Sequence, residues 1–205
     1  MSKVSFSPGN IKMGSIPSVS LPSKKTCREC ACWNKCYAAK IERLRPSVRN
    51  AYQNNLDVLM MDSETYWREV EAEIMLTKYF RFHVSGDIPN TDYLNNMVNI
   101  AKRQQHCQIL CFTKKYELVN DYITENGTNA HDVLPDNLHI IFSGWTGLEM
   151  VNPYNLPEAH VAYRDGTTTA RSDAHKCPGN CTECAITDSG CWVLKSGEQV
   201  VFHEH

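Results

Sequence analysis

The chain has 205 residues, with 21 lysines and arginines against 23 aspartates and glutamates, a formal charge of −2 and a pI near 6.4. That balance lacks the basic footprint that phosphate-backbone binding requires, so it argues against a nucleic-acid partner. No stretch approaches the ~18 apolar residues of a membrane helix and the N-terminus carries no signal-type apolar run, so we expect a cytoplasmic protein without a membrane partner.

In chain order, Val4 to Phe6 reads as a short strand, followed by a Pro-, Gly- and Ser-rich passage through Pro22 that reads as loop. Cys27, Cys30, Cys32 and Cys36 come next. Arg43, Arg45 and Arg49, with Glu42 and Asp57 nearby, read as a solvated helix face. Between Pro46 and Met61 the apolar positions Val48, Tyr52, Leu56, Leu59 and Met60 recur at helical spacing, with Pro46 suited to the first turn. Asp62 or Ser63 then caps a second helix with Trp67, Val70 and Ile74 on its buried side.

Beyond this point strands alternate with helices, the signature of βα units and a parallel sheet. Tyr79 to Ser85 is a strand stopping at Gly86-Asp87. Asn90 or Thr91 caps a helix carrying Tyr93, Leu94, Met97, Val98 and Ala101, and Gln108 to Thr113 is the next strand. Tyr116 to Glu125 reads as a helix ending near Asn126-Gly127. Leu138 to Ser143 and Ala159 to Arg164 are two more strands. The expected fold is α/β: a partial TIM-like barrel or an open parallel sheet with flanking helices and cysteine-rich terminal loops, residues 1–205 forming one domain.

Two strand ends finish in Ser-Gly, at Ser85-Gly86-Asp87 and at Ser143-Gly144. Glycine there permits either a tight turn or a close approach to a ligand, and in α/β folds ligands gather at that edge. In the first of these strands Phe80, Phe82 and Val84 alternate with Arg81, His83 and Ser85. A polar second face places Arg81 and His83 toward a cofactor in a curled sheet, or in solvent at an edge. Lys114 and Lys115, after the next strand, carry the same two readings. His83 and Asp87 are the candidate general base or orienter, and Ser85 and Gly86 the candidate cofactor-binding pair.

Ten cysteines set the chemistry. Eight fall in two groups, Cys27-x2-Cys30-x-Cys32-x3-Cys36 and Cys177-x3-Cys181-x2-Cys184-x6-Cys191. Outside an oxidising compartment such spacing points to metal rather than disulfides. Zinc would use the Cys-x2-Cys pairs. A [4Fe-4S] cluster tolerates the observed gaps and accepts a remote cysteine, so we expect one such cluster bridging the two ends of the chain. Cys107 and Cys111 flank a strand ~13 Å apart and read as buried apolar residues. Trp33 and Trp192 follow clustered cysteines and read as shields or core residues. The terminal His203-Glu-His205 reads as a polar tail.

The Cys177-x3-Cys181-x2-Cys184 spacing is similar to that of radical S-adenosylmethionine enzymes, although it lies near the wrong end of the chain for that family. A closer resemblance, carried by Cys32-Trp-Asn-Lys-Cys36-Tyr37-Ala38 after Ser20-Leu21-Pro22, by Ser85-Gly86-Asp87 and by Cys177-Pro178, Cys181-x2-Cys184 and Cys191-Trp192, is to a phage and mobile-element family named after gene product eighty-eight of a mycobacteriophage. That resemblance implies a viral, phage-type protein acting in the host cytoplasm and an iron–sulfur centre. The expected function is a cluster-dependent hydrolase with Lewis-acid chemistry on an ester or carbonyl of a small-molecule substrate. The alternatives are an S-adenosylmethionine radical enzyme and a non-catalytic electron-transfer or structural iron–sulfur or zinc protein serving a redox partner.

Overall fold

A computed structural model describes residues 3–27 and 30–204. Its elements are β1 (Phe6–Ser7), β2 (Ser18–Val19), α1 (Ser23–Thr26), α2 (Tyr37–Leu44), α3 (Pro46–Met61), α4 (Ser63–Met75), β3 (Tyr79–Phe82), α5 (Thr91–Arg103), β4 (Gln108–Thr113), α6 (Tyr116–Asn126), α7 (Ala130–Val133), β5 (Leu138–Ser143), β6 (Glu158–Ala162), β7 (His175–Lys176), α8 (Cys181–Ile186) and β8 (Gln199–His203). The central α3 to β5 run follows the expected pattern closely. Pro46 opens α3, the Asp62 carboxylate accepts from the Thr65 amide at the start of α4, and the Asn90 side chain accepts from the Tyr93 amide at the start of α5.

All eight strands lie in one sheet in the order β1-β2-β3-β4-β5-β6-β8-β7. Only the β1–β2 pair is antiparallel; every other pairing is parallel. The sheet ends at β1 and β7 and does not close, so of the two expected architectures the open sheet is found.

Its two faces are covered differently. Phe80 and Phe82 of β3, Ile109 and Cys111 of β4 and Ile140 and Phe142 of β5 face a large core built by α3 to α7, with Tyr66, Val70, Leu94, Met97 and Val119 among its fully buried members. Leu110, Ile141, Ala159 and Val200 face the other way, against Met13 and Ile16 from the N-terminal loop and Cys184, Ala185 and Trp192 from the C-terminal segment. A helical layer thus packs on one face, while two chain ends remote in sequence cover the other. Burial on both sides explains the nearly unbroken apolar runs of β4 and β5.

Local sequence did not reveal everything. β2 lies in the passage read as loop: two residues are too few to show alternation, and their pairing is supplied by β3. His203, expected in a polar tail, instead ends β8, and Gln199–His203 pairs with both β6 and β7. His205 lies outside the described residues. Gly127 follows α6 in an extended conformation. No helix among the described residues is long and apolar enough to cross a membrane.

Candidate metal centre

The C-terminal edge of a parallel sheet collects the chain segments that leave its strands, which is why sites form there. Here that edge brings together Asp87 after β3, Lys114 after β4, Ser143 at the end of β5, Tyr163 after β6 and Glu204 after β8. The segment bearing Cys27, Cys30, Cys32 and Cys36 lies over it. Tyr37 donates from its hydroxyl to the Val84 carbonyl at 2.6 Å. Lys35 pairs with Glu204 at 3.3 Å and sits 5.1 Å from the centre of the Tyr163 ring, spanning to the far strands.

Ser85, Gly86 and Asp87 fix this segment in place. The Ser85 hydroxyl donates to Glu42 at 2.6 Å, and the same carboxylate oxygen accepts from the Ser23 amide at 3.0 Å. The Ser85 carbonyl accepts from the Leu21 amide, and the Ser20 hydroxyl accepts from the Val84 and Ser85 amides. Gly86 has φ +84°, and a Cβ built on it would stand 2.6 Å from the Leu21 carbonyl oxygen and 2.7 Å from the Thr26 hydroxyl. Only glycine permits both that backbone conformation and that approach. The close approach read into the sequence is therefore an approach of chain to chain. Gly144, in the second Ser-Gly pair, is likewise packed, with a built Cβ 2.7 Å from Nδ1 of His160.

Asp87 is buried, and its carboxylate accepts from the Thr113 hydroxyl at 2.6 Å, the Lys114 amide at 2.9 Å and its neighbour Ile88 at 2.8 Å. Burial raises its pKa, opposed by these hydrogen bonds. Its role in this geometry is to join the ends of β3 and β4 and to aim Lys114, whose ammonium donates to the Ser143 hydroxyl at 3.0 Å beside the Trp145 ring. The Lys114 charge adds to the lowering of the Cys30 and Cys36 thiols and works against the raising of Cys27 and Cys32.

His83 lies elsewhere. Its φ of 59° breaks the strand alternation, turning the ring to the helical side, 6.0 Å from Phe82 and 5.3 Å from Tyr93 between ring centres. Neither ring nitrogen has a hydrogen-bond partner among the described residues. Burial pushes its pKa down to about 3. Arg81 stays on the opposite face, 4.8 Å from the centre of the Phe112 ring. The expectation that Arg81 and His83 share a face is therefore corrected: alternation holds only while φ stays extended.

All ten cysteines are free. Sγ of Cys30 and Sγ of Cys32 are 2.8 Å apart, far outside a disulfide bond and inside ordinary thiol contact. Cys30 and Cys36 are lowered in pKa chiefly by the Cys32 thiol, which is itself raised by the same interactions. Cys27, more deeply set, is pushed up to about 12 by burial and then by Asp87.

The second group, Cys177, Cys181, Cys184 and Cys191, packs on the sheet face opposite the helices. Burial raises Cys177, Cys181 and Cys191, each raised further by other members of the same group and lowered by Arg81. The eight cysteines thus form two groups, one at the edge and one on the face, where the sequence suggested one bridging site. Cys107 and Cys111 are buried in the helical-side core, as expected of apolar cysteines.

Both groups offer a pure sulfur donor set, the chemistry of zinc and of iron–sulfur clusters. Among the described residues no three Cys, His, Asp or Glu side chains converge closely enough as they stand to hold a single ion. At 2.8 Å the Cys30 and Cys32 sulfurs stand closer together than ligands of two different irons would. A four-iron cluster carries its thiolates on separate corners and demands less convergence than one ion.

Glu42, expected beside a solvated helix face, is instead buried, and its carboxylate ties Ser23 to Ser85. In α2 it lies one helical turn from buried Ala38, a spacing that marks a shared inward face. Sequence reasoning missed Asn55: fully buried, it accepts from the Ser5 amide and donates to the Ser5 and Ser20 carbonyls.

Fold and site together define a mixed α/β protein with an open, mostly parallel sheet and two cysteine groups seated on it. The chain belongs to the gene product 88 family, whose sequence model matches residues 3–147. It is 26% identical over 200 residues to the Gene 88 protein of Mycobacterium phage L5, an alignment covering 84% of this chain and 77% of that one. No solved structure is significantly similar to it. The family match includes the N-terminal cysteines and Ser85-Gly86-Asp87 and stops before the C-terminal group.

Proposed function

We propose that this is a phage-type iron–sulfur protein holding a [4Fe-4S] cluster on Cys27, Cys30, Cys32 and Cys36 at the C-terminal edge of the sheet. The observation that carries the reading is the placement of four closely spaced cysteines at that edge, with the Cys30 and Cys32 sulfurs 2.8 Å apart and the Lys114 ammonium held at the ends of β4 and β5. A cluster with four thiolate ligands is anionic, and a lysine beside it offsets that charge. When bound, such a cluster supplies one-electron transfer, or, with one iron open, a Lewis acid for ester or carbonyl hydrolysis or an anchor for S-adenosylmethionine.

The chain's own residues favour the electron-transfer reading over hydrolysis. A hydrolase needs a base free to take a proton from water. Asp87 has its oxygens committed to Thr113, Lys114 and Ile88, and His83 faces the helical core. Ser85 and Gly86 clamp the cysteine segment rather than lying open to a small molecule. The partner of an electron-transfer centre would approach the exposed side of the edge, where Tyr37 and Trp33 stand out into solvent.

The test is anaerobic reconstitution with iron and sulfide, followed by metal and acid-labile sulfide analysis, visible spectroscopy and redox titration. Iron and sulfide in near-equal amounts and a reversible one-electron couple are expected, with the couple lost and the iron and sulfide lowered in Cys30→Ser/Cys32→Ser. Colourless protein, or a cluster unchanged in that variant, would refute the reading. Turnover of simple esters that survives Lys114→Met and fails in Asp87→Asn with the cluster intact would restore the hydrolytic alternative.

A further inference from the structure

We infer that Cys177, Cys181, Cys184 and Cys191 form a second, separate thiolate-held metal centre on the face of the sheet, with Arg81 as its counter-charge. The inference deepens the iron–sulfur reading above, but stands on different residues. The four share one packed cluster with Leu110, Ile141 and Trp192 on the sheet face, a cluster to which none of the N-terminal cysteines belongs among the described residues.

The four cysteines are held by the fold. The Asn180 side chain accepts from the Glu183 amide at the start of α8, the Cys181 amide donates to the Lys12 carbonyl at 2.8 Å, and the Thr182 hydroxyl donates to the Met13 carbonyl at 2.9 Å. The Trp192 indole donates to the Cys181 carbonyl at 3.2 Å, and the Cys177 amide donates to the Val201 carbonyl of β8. Gly190, at φ +61°, brings backbone so close to Cys184 that a Cβ there would stand 2.9 Å from its sulfur. Backbone is thus drawn in around these sulfurs from α8, from the following turn and from β8.

Arg81 points to what they hold. Its guanidinium stands 4.8 Å from the centre of the Phe112 ring, which packs on the same cluster as these cysteines, its Nε is shut off from water without a hydrogen-bond partner, and it makes no ion pair with a carboxylate among the described residues. A guanidinium that is half-buried, with its Nε shut off from water and unpaired, is best offset by an anion close by. Four neutral thiols do not provide one. Four thiolates around a doubly charged metal ion or a four-iron cluster carry a net negative charge, and binding releases the thiol protons. Zinc and iron–sulfur clusters share this chemistry. The centre would pin the C-terminal segment and the Lys12–Ser15 loop onto the sheet face, a structural duty distinct from that of the edge.

The experiment is metal and sulfide analysis of anaerobically purified and reconstituted protein, as wild type, Cys30→Ser/Cys32→Ser and Cys181→Ser/Cys184→Ser. Iron and sulfide falling by about half in each double variant supports a second cluster; iron unchanged but zinc lost in Cys181→Ser/Cys184→Ser supports a zinc centre. Metal content unchanged in Cys181→Ser/Cys184→Ser overturns the inference and leaves the edge cluster standing. Iron unchanged in Cys30→Ser/Cys32→Ser with loss in the other variant overturns the edge cluster alone. Alkylation of native wild type with mass-spectrometric mapping gives a second readout that does not depend on a variant folding. Protection of Cys177, Cys181, Cys184 and Cys191 that chelator abolishes is expected; alkylation of these four at the rate of chelator-treated protein overturns the inference.

Discussion

Gly86→Ala tests whether the Ser-Gly-Asp turn docks the cysteine segment onto the sheet. The new methyl group would stand 2.6 Å from the Leu21 carbonyl oxygen and 2.7 Å from the Thr26 hydroxyl, at a φ of +84°. The left-handed backbone costs an L-residue about 1–2 kcal/mol. Overpacking adds about 1–3 kcal/mol, and the closest atom belongs to backbone, with the Leu21 amide bonded to the Ser85 carbonyl, so it cannot swing aside as a side-chain tip would. The sum, about 2–5 kcal/mol, corresponds at this chain length to a fall in melting temperature on the order of 5–15 °C. Thermal unfolding of metal-free protein measures the stability, and iron retention after reconstitution measures the docking. The reasoning fails if Gly86→Ala melts within a degree or two of wild type and loads iron equally. Gly147→Ala, at φ +80° with nothing within 4 Å, isolates the backbone contribution from the clash.

Four further outcomes follow from the same geometry. Glu42→Ala removes the acceptor for the Ser23 amide and Ser85 hydroxyl and should cost about 2–3 kcal/mol in urea unfolding, with Glu42→Gln milder because one carbonyl oxygen remains. His83 is neutral in the fold down to about pH 3 and takes a proton near 6.5 once unfolded, so it binds more protons unfolded within that window and wild-type stability should fall as pH drops through it. In metal-free protein, His83→Phe should remove up to ~1.4 kcal/mol per pH unit of that slope; identical pH profiles would show the ring to be solvated instead. Lys114→Met, which removes a cation beside the N-terminal thiols, should lower the reduction potential of the edge cluster in a redox titration, and a rise would contradict its placement. Cys111→Ala should leave iron and sulfide content unchanged and cost about 1 kcal/mol in stability, since Cys111 packs in the helical core away from both groups.

What the sequence determined by itself was local. The helical period from Pro46 to Ile74, the capping residues Asp62 and Asn90 and the apolar runs of β4 and β5 each express an energy set within a few residues, and the structure carries them nearly as expected. The grouping of the cysteines was legible too, because short spacing confines them to one stretch of chain whatever the fold. Tertiary structure decided the rest. It took the two-residue β2 and the terminal β8 into the sheet through partners far along the chain, and it separated the cysteines into an edge group and a face group. It also turned His83 away from Arg81 at a single positive φ, and it set Ser85, Gly86 and Asp87 to clamp Leu21, Thr26, Glu42 and Lys114. The physical reason is common to all of these: each depends on contacts between segments tens of residues apart, and local periodicity holds no record of which distant backbone will arrive to complete them.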